Sequence, residues 1–90
     1  MPVVENTVVI TTKVGLHARP ATLFVQEAAR FQAQIHVRYG EKSANARSIL
    51  SVLKLGASQG ATLHLRAEGE DAAEAIQALV ALVERNFGEA

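Results

Sequence analysis

The stretch Thr62–Glu68 alternates apolar and polar side chains, and this pattern constrains the chain more than any other feature. Successive side chains of a β-strand point to opposite faces, so Leu63, Leu65 and Ala67 share one side and Thr62, His64 and Arg66 the other. Gln34–Tyr39 repeats the pattern, with Ile35 and Val37 opposed to His36 and Arg38. A sheet of such strands has one apolar face to bury and one polar face to leave wet. The cover for the apolar face must come from segments of helical period. Between residues 17 and 31 the spacing changes, and Phe24, Ala28 and Phe31 fall at i, i+4 and i+7. Near the end, Ile76, Leu79, Val80 and Val83 form a continuous helical stripe. Ahead of that stripe, Asp71 and Glu74 have the spacing of a capping box, with Asp in place of Ser or Thr.

The remaining elements are shorter. Residues 3–12 are rich in β-branched types and predict a strand with Val8 and Ile10 facing the core. Tyr39-Gly40-Glu41 predicts a turn, and Lys42–Asn45 returns as a short strand. Residues 48–55 predict a short helix ended by Gly56. The order β-α-β-β-α-β-α predicts an α+β fold, an antiparallel sheet covered by helices on one face only.

The chain has 90 residues, which predicts a single domain over residues 1–90. A chain this short buries about 60–65% of its unfolded surface, enough for one modest core and no deep substrate cleft. That favours a carrier, binder or regulator over an enzyme acting on small molecules. Nine basic and nine acidic side chains cancel, so the electrostatic footprint of a nucleic-acid binder is missing. Without cysteine there are no disulfide staples and no thiolate metal sites. His17, His36 and His64 fall on separate elements and make no zinc pattern; His36 and His64 read as solvated residues of the sheet's polar face. The glycines are too dispersed for a nucleotide loop, so neither metal nor cofactor is expected. The N-terminal residues lack the features of a signal peptide, and no apolar run approaches the ~18 residues that span a bilayer. The expectation is a cytoplasmic protein, monomeric, with no membrane or nucleic-acid partner.

Chemistry concentrates in Lys13-Val14-Gly15-Leu16-His17-Ala18-Arg19-Pro20-Ala21-Thr22, where the first strand gives way to the first helix. The first amides of a helix lack intrahelical acceptors and lie at the positive end of its dipole, a ready site for an anion. Gly15 permits the backbone of a tight turn, and Pro20 fits the first helical turn, where its missing N–H costs nothing. His17 stands at or beside the N-cap. An imidazole has an ordinary pKa of about 6.5, so a neutral, nucleophilic form is available near neutrality. The first-turn amides, including those of Ala18 and Arg19, could receive the oxygens of a phosphoryl group. The guanidinium of Arg19 is a planar donor fork suited to phosphate. On these residues alone, a solvated or weakly capping histidine is as good a reading as a reactive one.

Gly15-Leu16-His17-Ala18-Arg19-Pro20-Ala21-Thr22 resembles the active-site signature of the HPr family, the histidine-containing phosphocarriers of the bacterial phosphoenolpyruvate:sugar phosphotransferase system. A second stretch, Ala46-Arg47-Ser48-Ile49-Leu50-Ser51-Val52-Leu53-Lys54-Leu55-Gly56-Ala57, is similar to the second signature of that family. The resemblance spans nearly the whole chain. It implies an open-faced β-sandwich with a four-stranded sheet in the order 1-4-2-3 and three helices on one face. It implies phosphorylation of His17 on Nδ1 by Enzyme I, transfer onward to the IIA domain of a sugar permease, and charge stabilisation by Arg19. The protein is then a carrier without turnover of its own. The family's partner surface maps to Thr22, Ile49 and Leu50. Taken without the resemblance, Ile49 and Leu50 could equally be core.

Ser48 matches the serine that a dedicated HPr kinase/phosphorylase modifies in many Gram-positive relatives, a mark read by a transcriptional regulator. It also suits the N-cap of the second helix. Ser51 and Lys54 differ from the Gly and Ser of the regulated relatives, which favours the cap. Three rival readings are a regulator that only binds partners, a nitrogen-related carrier, and a small RNA-binding α+β domain. Retention of His17 and Arg19 speaks against the first, and charge balance with few aromatics against the third.

Overall fold

Alternation becomes a sheet in the computed structural model, which describes residues 1–88. Strands β1 (Val3–Val9), β2 (Gln34–Tyr39), β3 (Lys42–Asn45) and β4 (Thr62–Glu68) pair antiparallel in the order β1-β4-β2-β3. The register sets Val8 opposite Leu63, and Leu65 opposite Val37. Val8, Ile35, Val37, Leu63, Leu65 and Ala67 are buried, while His36, Arg38, Thr62, His64 and Arg66 are exposed on the other face. Three helices cover the apolar side: α1 (Ala18–Ala28), α2 (Ile49–Lys54) and α3 (Ala72–Glu84). A 3₁₀ turn, Asn86–Gly88, follows α3. This is the α+β open-faced sandwich expected from the sequence.

One apolar cluster joins the layers. Phe24 and Ala28 of α1, Val52 of α2, and Ile76, Leu79 and Val83 of α3 all belong to it, while Val80 and Phe31 are half-buried at its margin.

Two boundaries and one cap depart from the expectation. The first strand stops at Val9 instead of running to residue 12. Beyond it Ile10 still accepts from Gly60 N–H (2.8 Å) and donates to the Ala61 carbonyl (2.9 Å), so the chain stays tied while leaving the ladder. Helix α1 ends at Ala28, and Phe31 lies past it. There the backbone is captured from outside. The Asp71 carboxylate accepts from Gln32 N–H (2.9 Å) and Ala33 N–H (2.8 Å). The Arg47 guanidinium donates to the carbonyls of Phe31 and Ala33, the latter at 3.0 Å. The same carboxylate explains the third departure. Asp71 occupies the N-cap position of α3 but makes no side-chain cap bond, because both of its oxygens serve the α1–β2 turn. The capping box read from Asp71 and Glu74 therefore does not form.

Candidate functional site at the mouth of helix α1

The loop between β1 and α1 is held by the segment that leads into β4. Leu16 N–H donates to the Ala57 carbonyl (3.0 Å), and Gly15 N–H to the Thr12 carbonyl (3.2 Å). Gln59 Nε2 reaches the Thr11 carbonyl (3.3 Å). Leu16 is buried and acts as the plug of the loop. Gly15 has φ +64°, and a Cβ there would stand 2.7 Å from both the Ala57 oxygen and the Ser58 Cα. Only glycine fits that left-handed turn pressed against backbone.

The turn delivers His17 to the N-cap of α1 in an extended conformation, φ −79° and ψ −174°. Its carbonyl accepts from Ala21 N–H (2.8 Å), which begins the helical ladder. Its imidazole is exposed and forms no capping bond to the helix, so the ring is not consumed by a structural task. Ala18 and Arg19 are exposed beside it, and Pro20 is buried in the first turn. No acidic residue stands in that turn. Thr22 is exposed, and its Oγ1 donates to the Ala18 carbonyl (2.7 Å).

An open depression of about 780 Å³ brings these groups together with residues from other parts of the chain. His17, Ala18, Arg19 and Pro20 form one side, and Thr11, Lys13, Gln59 and Asn86 lie around the rest. Two of its side chains, Lys13 and Arg19, are cationic, and none is a carboxylate. Placed at the positive end of α1, such a lining favours a small anion in contact with an exposed nitrogen nucleophile.

Ser48 caps α2. Its Oγ accepts from Ser51 N–H (3.3 Å) and donates to Ser51 Oγ (3.0 Å), so the capping role expected for it is observed. Helix α2 packs against α1. Of its first two residues, Ile49 is half-buried and Leu50 is 68% exposed, an aliphatic side chain held in water without a core role. His36 and His64 lie on the opposite, open face of the sheet and take no part in the depression. Among the described residues, no three His, Cys, Asp or Glu side chains gather as a metal site. No helix among them is long and apolar enough to cross a membrane.

Sequence reasoning missed the far wall of the site. Gln59 and Asn86 come from 40 or more positions downstream of His17, and no local pattern assigns them to it. For Asn86 a signal did exist, since asparagine just past a helix is a common left-handed terminator.

Comparison with known proteins agrees with this geometry. Residues 4–85 match the family described as the PTS HPr component phosphorylation site. The HPr-like protein Crh of Halalkalibacterium halodurans is 45% identical over 82 residues, 91% of this chain and 98% of that protein. The crystal structure of HPr-C-His from Thermoanaerobacter tengcongensis superimposes with a TM-score of 0.93 at 53% identity, covering 97% of this chain and 98% of that one. The phosphocarrier protein HPr from Bacillus anthracis gives a TM-score of 0.86 at 44% identity over 90% of this chain and 96% of its own.

Proposed function

This chain belongs to the PTS HPr family of phosphocarriers, and from that premise we propose that His17 accepts a phosphoryl group from phospho-Enzyme I and passes it to the IIA domain of a sugar permease. The observation that carries the reading is the exposed His17 imidazole at the N-cap of α1, uncommitted to the helix and flanked by Arg19. A neutral ring attacks phosphorus through Nδ1. The bond from phosphorus to its donor atom on Enzyme I breaks, and its electron pair returns to that atom. The three oxygens that move with phosphorus come to rest against the first-turn amides around Ala18 and Arg19 and the Arg19 guanidinium. In the second transfer the bond at His17 breaks in the same way, and the ring leaves neutral. Nothing is oxidised and no cofactor is needed.

The partner covers the depression and removes water from it, which strengthens these interactions in the complex. Leu50, Ile49 and Thr22, on α2 and α1, supply the docking surface for that partner. An exposed leucine costs free energy in the free protein and recovers it when a partner buries it. Residues 1–90 act as one domain, as a monomer in the cytoplasm. Ser48 is first a helix cap. A phosphate placed on it by an HPr kinase/phosphorylase, for reading by a transcriptional regulator, would break the Ser48–Ser51 hydroxyl pair.

The test is direct. Purified protein, Enzyme I and phosphoenolpyruvate should give one acid-labile, base-stable phosphoryl group per chain, and a purified IIA domain should remove it. His17→Ala should take up none while melting like the parent, because the ring is exposed. Labelling that persists in this variant overturns the assignment. Arg19→Ala should keep the fold and slow acceptance by about 10²-fold, the scale of losing one preorganised donor to a developing charge.

A further inference from the structure

We infer that Asn86 is a further contact residue for the transferred group: its carboxamide N–H groups bind an oxygen of the phosphoryl carried on His17. This rests on the phosphocarrier reading above. Asn86 lines the same depression as His17 and Arg19, although it lies 69 positions further along the chain. Its side chain has a set orientation. Thr11 Oγ1 donates to Asn86 Oδ1, so the carboxamide oxygen faces the hydroxyl, and the NH₂ group, with two donors, is turned from it.

The backbone there is under constraint. Asn86 has φ +54° and Phe87 φ +56°, the non-glycine residues of positive φ among those described. Asparagine tolerates this region, whereas for a bulky phenylalanine it is costly. The conformation persists because Phe87 is buried in the core cluster, where its ring anchors the turn. The anchored turn sets Asn86 at the rim of the depression. A neutral donor suits that place. With Lys13 and Arg19 already supplying charge, an amide adds a directed hydrogen bond to an oxyanion without a further strongly hydrated ion.

The alternative is that Asn86 only ends α3. Such a role acts through the backbone, and glycine performs it at least as well. Asn86→Gly therefore keeps the terminator and removes the carboxamide. Asn86→Asp keeps the acceptor for Thr11 and replaces the NH₂ with a carboxylate oxygen that repels phosphate. Both should melt close to the parent. With Enzyme I and phosphoenolpyruvate, the equilibrium occupancy of His17 by phosphoryl should shift about 10-fold toward the free form in Asn86→Gly, and further in Asn86→Asp. The KM for Enzyme I should not change, since docking is untouched. Thr11→Val, at an exposed position, should give a smaller shift in the same direction by releasing the carboxamide.

Parent-like occupancy in both Asn86 variants overturns the inference and leaves the carrier reading intact. A parent protein that takes up no phosphoryl group overturns both.

Discussion

At the scale of single residues, Asp71 shows how one carboxylate can settle where a helix ends elsewhere in the chain. It accepts from the amides of Gln32 and Ala33, and its pKa is held below the ordinary value of 3.8. The Gln32 amide is the main cause. The amides of Ala33 and of Asp71 itself and the charge of Arg47 add to it, and partial burial opposes them. A carboxylate with a depressed folded pKa contributes stability that is fully present above its unfolded pKa. That contribution is lost as pH falls through the folded pKa. The window here lies from about 4 downward. Asp71→Asn should therefore lower the melting temperature at pH 7, and the gap to the parent should narrow below pH 4. Melting curves recorded from pH 2.5 to 7 check this, and a gap that stays constant with pH would contradict it.

Among the elements, the β1–α1 connection carries the most consequence for the site. Its geometry depends on Gly15, whose positive φ and contact with the 57–58 backbone leave no room for a side chain. Gly15→Ala must pay about 1–2 kcal/mol for the left-handed backbone before any clash is relieved. On a domain of this size that corresponds to a loss of ~5–15 °C in melting temperature. The shift also moves the N-cap, so phosphoryl acceptance should fall with it. Thermal melting and the labelling assay together check both effects. A stable, fully active Gly15→Ala protein would mean that the loop adapts and that His17 is not placed by it. Helix α2 behaves differently. It has six residues, a length that is marginal without tertiary support, and its Ser48 cap and its packing on α1 hold it. It holds Leu50 outward in turn.

Across the whole molecule, a single apolar layer between sheet and helices holds every element, and Phe24 stands within it with no exposed surface. Phe24→Ala should cost about 3–5 kcal/mol, a large share of the ~5–15 kcal/mol that holds a typical domain together. Because there is one core, the loss should appear as one cooperative transition at lower urea with an unchanged slope. Two separate transitions would contradict the single-core reading. The sheet's other face stays exposed, so the molecule is one-sided, with the candidate site at the end of the layer where β1, α1 and the turn after α3 meet.

Much of this was legible in the residues. The spans of β2 and β4 follow directly from alternation, because side-chain direction in a strand repeats every two residues and needs no knowledge of the partner, and β3 follows from the turn at Gly40. The places of His17, Arg19 and Ser48 at the starts of α1 and α2 were equally legible, since a helix start is a local event. The end of α1, the true use of Asp71, the clamp by Arg47 and the arrival of Gln59 and Asn86 at the site were not. Each depends on a hydrogen bond or a shared cavity between segments far apart in the chain. Local sequence carries only propensity for such contacts. Which distant amide meets which carboxylate is decided when the core closes and brings them within about 3 Å.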